Sequence, residues 1–311
     1  MGGRGFFSVK AISGVAYRDL IQAFVRFYAD QLFNPHWGES ITLHRDDTLS
    51  FSMVSRGLDT ATAQAVWQPF LNWIAASPQD YRILGRPNIA TMPARSWWDA
   101  AYHKMHRPDA IISDPRPGAP PSDFSWAGDH DQIGAFWPGY KSLWLPTSLL
   151  QPDQQGRLAD ALFAASRHWT TSLHFNKGLA GAPPEAITAS RDTATSPEVL
   201  GAFALAIIGG FKPPAYPGVP GHEPNVAEAR NEAFVIGHAM DELRSLRVAP
   251  ASYVSESNYF EQNWQQSYWG ANYARLRAAK TKYDPDRLFF VHHGVGSEDW
   301  NTDGFDRLTE N

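Results

Sequence analysis

The chain has 311 residues and a formal charge of −5, from 27 Lys and Arg against 32 Asp and Glu, a balance that argues against a broad phosphate-binding surface and so against nucleic acid. With 43% hydrophobic and 19% charged residues it is too apolar for a disordered chain, and no apolar run approaches the roughly 20 residues of a membrane helix. It has no cysteine, which excludes disulfides, thiolate metal sites and Cys nucleophiles, and no leader-like start, so a cytoplasmic protein with no membrane partner is expected.

Met1-Gly2-Gly3-Arg4-Gly5 lacks the preceding strand and following helix of a phosphate loop and reads as a chain start or a truncation scar. Residues 6–12 predict a strand. Residues 17–33 predict a helix with Leu20, Ile21, Phe24, Tyr28 and Leu32 on one face. Residues 40–44 and 49–55 alternate apolar with polar side chains around Arg45-Asp46-Asp47 and predict a hairpin. A helix over 60–76, a strand over 81–84 and a short helix over 96–103 follow. Residues 107–126 hold five prolines and predict a loop.

Further along, a strand is expected over 140–146 and a helix over 154–167. A strand over 172–177 enters the Gly/Pro turn 178–184. Residues 199–208 and 226–246 are expected as helices separated by the proline-laden stretch 212–224. A short strand over 251–254, a helix over 264–282 stopped by Asp284-Pro285, and a final strand over 288–292 complete the chain. Hairpins and strand–helix pairs without a βαβ rhythm indicate an α+β fold: an antiparallel β-sheet covered by α-helices. One main domain over 1–251 is expected, followed by a C-terminal segment over 252–311.

The chain has no G-x-S-x-G elbow and no H-E-x-x-H zinc helix. His103 and His106, with Asp109 nearby, lack a third ligand in register, so no metal site is assigned and a metal-dependent hydrolase ranks last. Asp129-His130-Asp131 reads as a solvated turn. Twelve Trp, 11 Tyr and 18 Phe exceed what aliphatic runs surround, and some of them suit the walls of a small-molecule cleft. His174, Asn176 and Lys177 lie at a strand end before a glycine turn, where they can either bind a substrate or stand solvated on an edge strand.

Residues 252–300 are the most informative stretch. On a helix, Tyr268, Asn272 and Arg275 share one stripe and Trp269, Tyr273 and Leu276 the next. Gly270 within that helix costs about 1 kcal/mol relative to Ala and suggests something large packed on the backbone. On a final strand, His292 and His293 would point to opposite faces.

The run Tyr268-Trp269-Gly270-Ala271-Asn272-Tyr273-Ala274-Arg275-Leu276, with Lys280 and Tyr283-Asp284-Pro285 after it, resembles the C-terminal signature of the berberine bridge enzyme-like flavoproteins, within the vanillyl-alcohol oxidase group. Tyr253-Val254-Ser255-Glu256, the closing Leu288 to Gly296 stretch, Phe33-Asn34-Pro35-His36-Trp37-Gly38 and residues 174–187 fit the same pattern. The resemblance implies a substrate domain whose antiparallel sheet roofs an FAD ring, and a C-terminal segment that returns to an FAD-binding domain.

No counterpart of that FAD-binding domain occurs in these 311 residues. The resemblance therefore implies one subunit of a split enzyme or a fragment, partnered by an FAD-binding domain or subunit and a small-molecule substrate. It further implies hydride transfer from an alcohol, hemiacetal or amine carbon to flavin N5, with oxygen as acceptor. Tyr273, Tyr253 and Glu256 are its catalytic candidates, and Asn272, Tyr268 and His292 its cofactor-facing ones. Ser255 and Glu256 replace the Asn and Tyr of many relatives, which leaves the identity of the base open. The competing reading is a non-catalytic chain that binds a ligand or a partner.

Overall fold

The computed structural model describes residues 1–130, 132, 134–301 and 303–308. In chain order the elements are β1 (Gly2–Ala11), α1 (Gly14–Phe27), β2 (Trp37–Leu43), β3 (Thr48–Arg56), α2 (Thr60–Ala75), β4 (Tyr81–Met92), α3 (Ala100–His106), β5 (Ile111–Ser113) and β6 (Phe124–Trp126). They continue with α4 (Ala127–His130), β7 (Tyr140–Pro146), α5 (Gln155–His168), β8 (Thr171–His174), α6 (Pro184–Ser190), β9 (Ala202–Gly209), α7 (Val226–Arg244), α8 (Trp264–Trp269) and α9 (Tyr273–Tyr283). Seven strands form one antiparallel sheet in the order β4-β1-β3-β2-β8-β9-β7.

Strand alternation sends one set of side chains into the core and the other to the opposite face. Phe7, Val9, Leu49, Phe51, Met53, Ile41, Leu43 and Leu173 join Leu20, Ile21 and Phe24 of α1, Trp67 and Phe70 of α2, Leu158 and Leu162 of α5, and Ile236 and Met240 of α7 in one buried cluster. Phe7 stacks on Phe51 at 4.4 Å, and Phe24 meets Phe51 edge-on at 5.1 Å. Each such aliphatic or aromatic burial stabilises the fold by roughly 1.5–3 kcal/mol. Ser13, Asp59 and Asn225 cap α1, α2 and α7 by accepting backbone N–H bonds from Ala16, Thr62 and Glu228.

The α+β expectation, the hairpin and the helices over 17–33, 60–76, 154–167 and 226–246 match the structure in kind; the first of them begins at Gly14 and ends in a π-helical turn over Tyr28–Leu32. Several expectations are corrected. Gly2, Gly3 and Gly5 lie inside β1, paired to both β3 and β4. A side chain at Gly3 would meet Ser55 Oγ at 2.3 Å, so this glycine permits close strand packing. The strand expected over 81–84 runs on to Met92. Within the expected loop 107–126, β5 and β6 pair as a small separate sheet.

The expected helix over 199–208 is instead strand β9, seven of whose eight residues are buried. The expected strand over 251–254 is irregular chain holding a single Tyr253–Glu256 bridge. The expected final strand is also irregular. Asp284 accepts the N–H groups of Leu288 and Phe289, and Lys280 Nζ binds the Phe289 carbonyl at 2.6 Å, so side chains take the backbone bonds a strand would need. The helix expected over 264–282 divides at Gly270, whose φ of 51° and ψ of −132° no helix accommodates. Asp131 lies outside the described residues, and no helix of the described residues is long and apolar enough to cross a membrane.

Candidate functional site

The sheet face turned away from the helices is lined by small polar side chains. Ser8, Ser40, Thr42, Ser50, Ser52, Ser172 and His174 occupy alternate positions of β1, β2, β3 and β8, and all are half-buried. Ser8 and Ser50 hydrogen-bond through their hydroxyls at 2.9 Å, and His44 Nε2 lies 3.0 Å from Ser50 Oγ. Ser172 Oγ is shared between the Ile207 carbonyl and His174 Nε2, each at 3.2 Å. Sequence reasoning missed this floor. Its signal was period-two alternation in which Ser and Thr, rather than Lys and Glu, held the polar positions.

Beyond β8 the same face is covered by the chain after β7 and β9. Trp144, Val199, Leu205, Ile207 and Ala251 form a second buried cluster with Tyr253 packed on it. Ser252 Oγ donates to the Ser142 carbonyl at 2.7 Å, and Trp144 N–H donates to the Ala251 carbonyl at 2.9 Å, which fixes this segment on β7. A cavity of about 310 Å³ opens here, lined by Trp144, Lys177, Leu179, Thr193, Thr195 and Tyr253 among others.

Five of the residues expected at the site converge at this end of the floor. Lys177 Nζ lies 2.8 Å from Glu256 Oε2 and 5.5 Å from the centre of the Tyr253 ring. Asn176 Nδ2 donates to Glu39 Oε2 at 3.2 Å. Burial, then the Lys177 charge, lowers the His174 pKa, with Glu256 opposing. Burial raises the Glu39 carboxyl against the pull of Lys177. Burial and Glu256 push the Tyr140 phenol up to about 12. Glu39 and Tyr140 were not foreseen; both stand in strands whose neighbours carry the pattern.

The remaining candidates form a second group around α8 and α9. The Tyr273 hydroxyl donates to Glu298, 2.6 Å from both carboxylate oxygens, and burial together with that carboxylate raises its pKa far above the ordinary value. Asn272 Nδ2 donates to the Thr195 carbonyl at 2.8 Å, and Arg275 pairs with Asp192 at 2.7 Å, so these two do share a stripe and clamp the 192–195 loop. Tyr268 faces elsewhere: it is buried, and its hydroxyl donates to the Asn258 carbonyl at 3.0 Å. His292 Nε2 lies 2.8 Å from the Tyr259 carbonyl. The His292 and His293 rings stack at 3.8 Å, which corrects the opposite-face expectation, because no strand separates them. His103 is fully buried, its Nε2 at the Trp97 carbonyl, 2.9 Å away.

Residues 252–296 match the family model described as berberine and berberine like. The FAD-linked oxidoreductase notD' of Aspergillus versicolor is 55% identical over 58 residues, 19% of this chain and 10% of that protein. A VAO-type flavoprotein oxidase of Thermothelomyces thermophilus is 52% identical over 56 residues, 18% of this chain and 10% of that protein. Among solved structures, a VAO-type flavoprotein from Myceliophthora thermophila C1 superposes with a TM-score of 0.65 at 20% identity, over 96% of this chain and 48% of that one. A carbohydrate oxidase from Microdochium nivale superposes at 0.58 and 16% identity, over 95% of this chain and 55% of that one.

The chain thus spans about half the length of these two solved proteins. The small-residue floor suits the flat ring of a flavin, with hydroxyls for its polar edge. Among the described residues no glycine-rich turn joins a strand to a helix to cradle a diphosphate. The fold matches about half of a VAO-type flavoprotein, and residues 252–296 match the berberine and berberine like model, in a stretch similar to FAD-linked oxidoreductases.

Proposed function

We propose that this chain is the substrate-binding part of an FAD-dependent oxidoreductase that oxidises an alcohol, hemiacetal or amine carbon, with oxygen as the final acceptor. The observation that carries this reading is the Lys177–Glu256 pair, set beside His174 and Tyr253 at the end of a small-residue sheet floor. A bound flavin would supply the two-electron acceptor. The chain supplies the rest. The Glu256 carboxylate accepts the proton of the substrate O–H or N–H, the Tyr253 hydroxyl hydrogen-bonds the reacting oxygen or nitrogen, and Lys177 holds Glu256 in place and balances its charge. His174, kept neutral by burial, and Asn176 orient the substrate by hydrogen bonds.

Tyr273 takes a positioning role, because its hydroxyl already donates its proton to Glu298. Asn272 secures the 192–195 loop beside the cavity. Tyr259, Phe260, Leu288, Phe289 and Val291 are 62–79% exposed on the C-terminal segment, an apolar surface suited to a separate FAD-binding domain.

Absorbance of the purified chain, alone and mixed with an FAD-binding domain, tests the assignment. Flavin bands retained with the partner, and a Glu256→Gln variant reducing flavin about 10²–10⁴-fold more slowly, are expected. Flavin bound in neither case would leave the competing reading, a ligand- or partner-binding chain without redox chemistry.

A further inference from the structure

The end of the sheet floor opposite Lys177 holds a cation with no counter-ion. Arg4 stands in β1 opposite Val54 of β3 and Ala90 of β4, on the same face as Ser8 by strand alternation. Its guanidinium carbon lies 4.5 Å from the Trp97 ring, 5.5 Å from Phe6 and 5.9 Å from Trp126. Trp97 and Trp126 belong to the insertion between β4 and β7, which folds over this corner. Among the described residues the Arg4 side chain makes no hydrogen bond or ion pair, and its Nε is buried without a partner. The charge acting on it is a like one, Arg107, at the end of α3; burial and Arg107 both lower its pKa.

Aromatic faces compensate a guanidinium for part of its lost water but leave its in-plane N–H donors unused. Those donors form a fork that matches a carboxylate. The surrounding rings match a flat apolar body attached to it, and the second cation reinforces the preference for an anion. The row Arg4–Val54–Gly38 continues to Asn176, whose Cβ lies 3.0 Å from a side chain built at Gly38. Three strand spacings, roughly 14 Å, separate the two ends of the floor.

We infer that Arg4, reinforced by Arg107, recognises a carboxylate on an aromatic substrate, at the end remote from the carbon that is oxidised. This rests on reading the sheet floor as the substrate site, but its test needs neither flavin nor turnover. A failure here would leave the oxidoreductase assignment standing, and loss of that assignment would leave a measured carboxylate site in place.

The test is titration of the tryptophan fluorescence of the full chain with benzoate at pH 7 and constant ionic strength. Benzamide and inorganic phosphate serve as parallel probes. Saturable change with benzoate is expected, at least tenfold weaker with benzamide and with phosphate. Arg4→Gln should abolish it, and Arg107→Gln should weaken it threefold or more with an unchanged circular dichroism spectrum. Equal response to benzamide, equal or tighter binding of phosphate, or wild-type affinity in Arg4→Gln would each overturn the inference. Should Arg4→Gln fail to fold, Arg107→Gln decides: unchanged benzoate affinity in that variant overturns it.

Discussion

Lys177 and Glu256 meet at 2.8 Å and join the end of β8 to the berberine-like segment across nearly 80 residues of chain. Their side chains are 26% and 25% exposed, so the pair is shielded enough to matter and wet enough to escape the full desolvation cost of a buried ion pair. It sets where the Glu256 carboxylate stands, with the Lys177 ammonium 5.5 Å from the centre of the Tyr253 ring.

Removing one partner leaves the other half-buried and unpaired. Lys177→Met and Glu256→Gln should each lower stability by about 1–2 kcal/mol, between the values for surface and buried pairs. The double variant should lose less than the two single losses added together. Urea denaturation of the four proteins gives the coupling directly, and a coupling of zero would mean solvent screens the pair.

His174 gives the fold a pH dependence. Its pKa is held below the ordinary 6.5 by burial and Lys177, so the unfolded chain takes up this proton first as pH falls. The contribution of the neutral ring is complete above 6.5 and is lost as pH drops towards the native value. His44 and His293, both lowered chiefly by burial, act in the same direction. Melting temperature should therefore fall between pH 7 and 5, and His174→Gln should flatten that slope. An identical slope in the variant would show that His174 titrates alike folded and unfolded.

Much of this fold was legible in the sequence, and the failures have physical causes. The β2–β3 hairpin and the four core helices carried period-two or 3.6-residue patterns because each buries one face. The strand β9 lies between β8 and β7 with both faces covered, so Ala202 to Ile208 shows no alternation, and its alanines favour helix. The 288–292 stretch is apolar for another reason: Leu288, Phe289 and Val291 are exposed. At the site, His174, Lys177, Tyr253 and Glu256 could be named from motifs, but the Ser and Thr floor could not. Ser8 and Ser172 become neighbours of a site only once strand order is known.

The Tyr273–Glu298 bond tests whether this tyrosine positions the segment. Tyr273→Phe removes a charge-assisted donor but keeps the packing on Trp264 and Trp269, at 5.5 and 6.0 Å. A loss of about 1.5–3 kcal/mol is expected, since the Glu298 carboxylate loses its short bond. Limited proteolysis should show faster cleavage near residues 294–300, with the benzoate response of Arg4 unchanged. Unaltered cleavage would show that Glu298 is held by Arg277 alone, which lies 3.4 Å away.

Gly270 provides the sharpest test of the C-terminal geometry. A side chain built there meets Pro197 at 3.5 Å and Gln266 Nε2 at 3.8 Å, which are ordinary contacts, so space does not require glycine. The backbone does: at φ 51° and ψ −132° a residue with a Cβ is strained by about 1–3 kcal/mol. Gly270→Ala should therefore destabilise the chain by that amount, although the same change inside a continuous helix would stabilise it by about 1 kcal/mol. The sign alone separates the two geometries. Denaturation showing a more stable Gly270→Ala protein would mean that α8 and α9 form one helix, with Asn272 and Tyr273 rotated away from the Thr195 carbonyl and Glu298.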